Sequence, residues 1–516
     1  MLELSRLTSD LIDAERTLLF SLPVLRQGPI VPLKPMQGLD NPVAIASDAG
    51  KLLPWSLLDD CRRIFGCDVQ LVKVPGEAIL MALNQVFDMS SASAEQMLED
   101  LSDTDDWQRE LEDVGDLLES EDDAPVIRLV NTLVSQAMKD RASDIHIEPF
   151  ETEVLVRFRI DGVLHSIVHP PKGVQAAMAS RIKVMAGLDI AEKRHPQDGR
   201  FRVKIGGREI DVRVSILPTA FGERVVMRLL DRSSKMLTLQ ELGMSHDQFE
   251  KMQQVVQSPH GIVLVTGPTG SGKSTTLYAS LMEVDRSNRN VMTIEDPIEY
   301  QVTGVGQMQV QPKIGLTFAA GLRSILRQDP DIVMIGEIRD LETAEIAIQA
   351  SLTGHLVFAT LHTNDALSSI NRLQDMGVEP YLIASSLVMV QAQRLVRRLC
   401  PHCKAAKVPD AKDFEVLEVT ADVFAGVTEI YEAVGCDQCM QTGFIGRIAI
   451  YEIATVSDNL RNAIHEGKGL LQMRKISRRE GMKTLRGDGA RHVARGITTV
   501  DEVLRVTRSD VEAIEA

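Results

Sequence analysis

The sequence predicts an α/β protein whose largest domain is a mainly parallel sheet covered by helices on both faces. Two observations carry that expectation. Apolar, β-branched runs at 261–266, 291–296, 332–337 and 356–361 alternate with stretches of helical periodicity. Runs that are apolar throughout, and not alternating, suit strands buried on both sides. In addition, a glycine-rich turn joins the first run to a helical stretch from Ser274 to about Val284, and strand, glycine turn and helix together are the setting of a phosphate-binding loop.

Taken in order, residues 1–90 mix short apolar segments with Pro and Gly and read as a small globular domain. Residues 91–124 are crowded with Asp and Glu, among them Asp103, Asp105, Asp106, Glu119, Glu121, Asp122 and Asp123. Such a run repels itself, which suits a linker or a mobile acidic helix, with a docking tail for a basic partner as the alternative. Pro125 is placed to open a helix over 126–139. A hairpin follows over 153–168 with an Asp161-Gly162 turn, then a second hairpin over 201–214 and a strand over 224–229, so 125–232 reads as an α+β domain. A connector over 233–260 leads to the nucleotide-type core at 261–396. Residues 397–445 hold the cysteine segment, and the pattern past about 380 reads as mostly helical to the end, over 446–516.

Composition narrows the function. The 516 residues suffice for about three domains. The formal net charge of −17 argues against a broad basic surface for nucleic acid. No apolar run approaches the ~20 residues that span a bilayer, and the first residues lack the basic-then-apolar pattern of a secretory signal. A cytosolic chain, held to a membrane only through a partner, is the expectation, and disulfides are not expected there.

The chemistry concentrates in a few places. In Gly267-Pro268-Thr269-Gly270-Ser271-Gly272-Lys273-Ser274-Thr275, the glycines let backbone N–H groups close around phosphate oxygens at a helix N-terminus. Lys273 supplies a cation to the β- and γ-phosphates and Ser274 a hydroxyl to Mg²⁺. Glu337 ends the apolar strand 332–337 and is the candidate to orient or deprotonate water, with Gly336 before it leaving room for that water. Glu295, Asp296 and Glu299 surround Pro297 at a second strand end. They read either as a turn or as partners of Glu337 in metal and water contacts. His355 and His362 flank the strand 356–361 and are either structural or γ-phosphate sensors. Arg200, Arg202, Arg213, Arg224 and Arg228 cluster in the domain before the core. Arg213 and Arg228 share one strand face, and are either solvated or able to neutralise phosphoryl charge from another domain or subunit. Arg323, Arg327 and Arg339 flank the Glu337 strand. Cys400, Cys403, Cys436 and Cys439 form two CxxC pairs separated by 32 residues, the spacing of a closed, structural four-thiolate zinc site. Cys61 and Cys67 have no such spacing and read as free thiols.

These motifs resemble those of the secretion ATPases that power type II secretion, type IV pili and type IV secretion. The resemblance rests on Gly267–Thr276, Thr293–Glu299, Leu326–Asp340 and Thr353–Asn364, which look like the Walker A, Asp box, Walker B and His box of that family. Upstream, Ala142–Glu148, Arg157–Gly162, Ala191–Arg200 and Gly222–Leu229 are similar as well. The resemblance spans about 125–455. It implies a RecA-like P-loop NTPase core preceded by a PAS-like domain that supplies arginines to the nucleotide, and ATP hydrolysis with Mg²⁺. It implies a homo-hexamer whose N-terminal domain docks on an inner-membrane platform protein. The two CxxC pairs favour the type II secretion branch, which drives pseudopilus assembly and export of folded proteins across the outer membrane. Pilus extension is the alternative, and a nucleic-acid translocase a more distant one.

Overall fold

The computed structural model describes residues 125–507, apart from 206–207, 232–235, 418, 420 and 425–426. Before them it describes 11–17, 20, 30–34, 43–48, 55–75, 78–79 and 82. The acidic segment 91–124 lies outside the described residues. The chain divides into two units, Met1–Ser233 and Ser234–Ala516.

The first unit begins with a three-stranded sheet of β1 (Ile30–Leu33), β2 (Val43–Asp48) and β3 (Val69–Val74). β1 and β2 are antiparallel, β2 and β3 parallel, and the helix Trp55–Phe65 lies between β2 and β3 in the chain. Cys61 is buried in this small core, and burial pushes its thiol up to about 11. It is a free thiol, as is Cys67.

The helix expected after Pro125 spans Pro125–Lys139. Beyond it, β4 (Ala142–Pro149), β5 (Val154–Ile160), β6 (Val163–Val168), β7 (Gln197–Ile205), β8 (Arg208–Thr219) and β9 (Gly222–Asp231) form one antiparallel sheet in the order β6-β5-β4-β9-β8-β7. The turn between β5 and β6 holds Asp161 at φ 49° and Gly162 at φ 87°, the left-handed pair that a two-residue hairpin requires. β5 alternates buried and half-buried residues, so one sheet face packs under the helices Pro125–Lys139 and Gln175–Ala186.

The other face carries charge in an ordered way. β4 is central, and its outward residues Asp144, His146 and Glu148 are all buried. Arginines from the flanking strands cover them. Arg157 meets Glu148 at 2.5 Å, and Arg224 hydrogen-bonds the same carboxylate. Arg228 Nε lies 3.0 Å from Asp144 and Arg159 3.8 Å. The cross-strand register sets Arg159, Asp144, Arg228, Arg213 and Arg200 in one row across five strands.

The second unit holds the seven-stranded sheet. β10 (Gly261–Thr266), β11 (Val291–Glu295), β12 (Gly306–Gln309), β13 (Ile332–Ile335), β14 (Leu356–Leu361) and β15 (Leu387–Leu399) are parallel, in the order β12-β11-β13-β14-β10-β15. A small antiparallel pair, β16 (Ala405–Lys407) and β17 (Ile430–Glu432), carries the cysteine segment's neighbours. The sheet ends on β18 (Phe444–Thr455), antiparallel to β15. Here the structure corrects the expectation of a mostly helical region past 380: β15 and β18 are long strands. Leu, Gln and Arg in Leu387–Leu399 favour helix locally. Hydrogen-bonded partners on both sides, β10 and β18, override that preference. Helices resume at Asp458–His465, Leu470–Arg479, Leu485–Ala494 and Val500–Thr507. Among the described residues no helix is long and apolar enough to cross a membrane.

Candidate functional site

Strand order brings the expected residues to one edge of the sheet. β11, β13, β14 and β10 are neighbours, and parallel strands send all their C-terminal loops to the same side, where α/β sheets bind ligands. Those loops begin at Asp296, Gly336, His362 and Gly267.

The glycine loop follows β10 and feeds the helix Lys273–Met282. Gly267, Gly270 and Gly272 have φ of 148°, 78° and 87°, and two of them also have no space for a side chain. A Cβ on Gly267 would lie 2.6 Å from the Gln393 carbonyl, and one on Gly272 2.8 Å from Gln393 Nε2. Lys273 is buried and donates to the carbonyls of Gly267 at 2.8 Å and Pro268 at 3.1 Å. Burial lowers its ammonium to about 8, with Arg394 lowering it further and Glu337 opposing both. Ser271 Oγ is buried inside the loop with no hydrogen-bond partner. A loop with a buried cation, an unpartnered hydroxyl and glycines that leave main-chain N–H groups uncovered suits a phosphate chain.

Glu337 follows β13. His362 Nε2 lies 3.0 Å from one of its carboxylate oxygens, and Arg339 Nε donates to the other at 2.8 Å. Arg339 also lies 3.9 Å from Asp296. Gly336 also has a steric reason. A Cβ there would press on Glu295 Cα and the Ile294 carbonyl, each at 3.3 Å, and Gly336 N–H donates to that same carbonyl at 2.8 Å. The glycine serves the close approach of two chain segments.

Glu295 is buried and already engaged. Tyr278 Oη donates to one oxygen, while Thr293 Oγ1 at 2.5 Å and Gln307 Nε2 at 3.0 Å donate to the other. Glu299 N–H donates to Tyr278 Oη at 3.3 Å. This carboxylate ties the acidic turn to the helix that starts at Lys273. Asp296 is the more exposed of the two acids.

His355 does not join His362. It precedes β14 at the opposite edge of the sheet, where its Nδ1 lies 2.8 Å from the Ala350 carbonyl and its own carbonyl accepts from Gly261. The six residues of β14 lie between the two histidines, a strand length of roughly 20 Å. The expectation of paired sensors fails for His355, since opposite ends of a strand belong to opposite edges of its sheet.

The four cysteines converge. The sulfurs of Cys400, Cys403, Cys436 and Cys439 all lie within 4.8 Å of one another, with pairs at 3.8, 3.8 and 3.7 Å. A tetrahedral ion with Zn–S near 2.3 Å needs sulfur pairs about 3.8 Å apart. Backbone N–H groups of Gly435, Cys436 and Gly443 point at these sulfurs at 3.2–3.3 Å.

A family model described as type II/IV secretion system protein matches residues 119–505. The chain belongs to that family. It is 50% identical over 460 residues to the type II secretion system protein E of Pectobacterium carotovorum subsp. carotovorum, covering 89% of this chain and 91% of that one. It is 50% identical over 463 residues to the type II secretion system ATPase E of Vibrio cholerae serotype O1, with the same coverage. Among solved structures, the pilus retraction motor PilT with bound ADP matches with a TM-score of 0.50 and 25% identity, covering 74% of this chain and 98% of PilT. The Legionella pneumophila ATPase DotB shares the fold, with a TM-score of 0.54 and 21% identity over 73% of this chain and 95% of DotB.

Against the family's motifs, two contributors to the site escaped sequence reading. Gln393 and Arg394 lie on β15, the strand taken for helix, and both are buried beside the glycine loop. Their signal was the polar set Gln391, Gln393 and Arg394 among the apolar residues of 387–396, since a buried polar residue is the informative one.

Proposed function

We infer that this chain is the ATP-hydrolysing motor of a type II secretion system. Its family, its ~50% identity to type II secretion ATPases, and a glycine loop with Lys273 and Glu337 at one sheet edge support an ATPase. The observation that carries the mechanism is the convergence of Lys273, Glu337 and His362 on the C-terminal edge of neighbouring strands.

Residues 267–275 would hold the phosphates, and the Ser274 hydroxyl would help to hold Mg²⁺, which would neutralise phosphate charge. Lys273 would exchange its loop carbonyls for phosphate oxygens. Glu337 would orient the attacking water and accept its proton, with His362 and Arg339 holding the carboxylate in place. Glu295, through Tyr278, would keep the acidic turn in register with the loop, and Asp296 and Glu299 would share metal or water contacts with Glu337.

The sheet before the core is the PAS-like domain of this reading. Arg213 and Arg228 would reach a nucleotide's phosphates when domains close, in the same or a neighbouring subunit of a hexameric ring. The arginine row supports this, since it holds four arginines and one aspartate, and only two of the four meet that aspartate. Cys400, Cys403, Cys436 and Cys439 would hold zinc as a closed structural site. The N-terminal domain would dock on an inner-membrane platform protein and so bring the motor to the membrane.

The test is Mg²⁺-dependent ATP hydrolysis by the assembled protein together with restoration of secretion in a strain lacking the motor. Lys273→Ala should abolish both and weaken nucleotide binding. Wild-type hydrolysis by Lys273→Ala would remove the assignment, and hydrolysis that restores piliation but never secretion would transfer it to pilus extension.

A further inference from the structure

Residues 393 and 394 of β15 sit where two functional loops meet. Gln393 Oε1 accepts from Thr276 Oγ1 at 2.8 Å, and both side chains are buried, at 1% and 0% exposure. Thr276 lies in the first turn of the helix that begins at Lys273. The Gln393 carbonyl and amide also occupy the space that Cβ atoms on Gly267 and Gly272, the two ends of the glycine loop, would need. One residue thus lies beside the start of the loop and its end and bonds the helix that follows.

Arg394 extends the contact in the other direction. Its guanidinium donates to the Gln393 carbonyl at 3.1 Å and to the Asn364 carbonyl at 2.7 Å. Asn364 closes the segment that begins with His362, and His362 holds Glu337. Thr266 and Thr363 add a hydroxyl pair at 2.7 Å between the same two loops.

We propose that Gln393 and Arg394 are positioning residues of the ATPase, with Gln393 fixing the phosphate loop through Thr276 and Arg394 fixing the His362 loop to it. The assignment rests on the ATPase reading of the site and deepens it. Lys273 donates to carbonyls of its own loop, so a tie from the loop to the sheet must come from other residues. The buried Thr276–Gln393 bond supplies it, and a planar guanidinium holds its two carbonyls in a fixed direction, which the rotatable donors of an ammonium do not.

The two arms separate experimentally. Thr276→Val keeps the side chain's shape and removes its hydroxyl, and Gln393→Met removes the acceptor from the other partner. Each should weaken ATP binding about fivefold to tenfold, as expected for one buried hydrogen bond, and the double variant should be no worse than either single one. Thr276→Ser keeps the hydroxyl and should bind as wild type. Arg394→Lys should lower kcat while leaving ATP affinity within twofold, because its arm reaches the His362 loop. Binding of a fluorescent ATP analogue and steady-state hydrolysis by the full chain, with Tm recorded alongside, read all five. If the wild type binds and hydrolyses ATP, yet Thr276→Val and Gln393→Met bind equally well, the positioning role is refuted while the ATPase reading stands. A fall in Tm without change in affinity or kcat leaves these residues as structural only. Equal loss in Thr276→Ser also refutes the proposal. Should Thr276→Val fail to fold, Gln393→Met carries the same test.

Discussion

Replacing Glu337 with glutamine changes one oxygen to an amide and little else. The structure defines what is lost. Each carboxylate oxygen has its own donor, His362 Nε2 at 3.0 Å and Arg339 Nε at 2.8 Å. An amide nitrogen cannot accept, so one of these bonds becomes a donor facing a donor. A buried charge-assisted bond contributes about 1.5–3 kcal/mol. Arg339 and His362 are 58% and 44% exposed, and solvent screening brings the loss toward about 1 kcal/mol. For a unit of this size that moves Tm by only about 2–4 °C. Turnover should fall far more, roughly 10²–10⁴-fold, because the proton acceptor is gone. ATP affinity should hold or rise, since a negative charge near the phosphates is removed. The lysine provides a second readout. Glu337 raises the Lys273 pKa against burial, which leaves it at about 8, so in Glu337→Gln it falls further. At pH 8 the variant should then take up more protons on binding ATP than the wild type does. Calorimetry in buffers of differing ionisation enthalpy measures that uptake, and coupled phosphate release measures turnover. Turnover within tenfold of wild type in the assembled state, with unchanged proton uptake, would refute the role given to Glu337.

Protein purified without chelator should contain one zinc per chain by elemental analysis, and Cys436→Ser should lose it and destabilise the segment around 397–445. Arg213→Ala and Arg228→Ala should each reduce kcat more than nucleotide affinity in the assembled oligomer. Arg228→Ala should in addition lower the stability of the first unit, because it strips one of two guanidiniums from buried Asp144. His492 is buried and held down to about 3, first by burial and then by nearby arginines. Its unfolded value is near 6.5, so the unfolded state binds the extra proton between those limits and stability falls as pH drops below about 6.5. The slope from this residue reaches at most about 1.4 kcal/mol per pH unit. Urea titrations from pH 7 to 5 on His492→Gln should show a correspondingly flatter pH dependence.

The phosphate loop, the Glu337 strand, the acidic turn and the paired CxxC motifs were legible in the sequence because each is local. A glycine at positive φ, an acid ending an apolar run, and two thiols three residues apart are constrained by their immediate neighbours. The β5–β6 hairpin was legible for the same reason, through Asp161-Gly162. What lay beyond the sequence depends on which strands become neighbours. β15 has local helix preference and is a strand only because β10 and β18 complete its hydrogen bonds. With it came Gln393 and Arg394, invisible as site residues until that strand was set beside the loop. His355 and His362 look equivalent along the chain, but the direction of β14 sends one to the ligand edge and the other away. Gly336 fits the space left by the chain at Ile294 and Glu295, and Asp144 and Glu148 can be buried only because arginines from adjacent strands cover them. Local pattern determined the chemistry this chain carries. Strand order and register, which follow from burying both faces of the sheet at once, decided which of those groups meet.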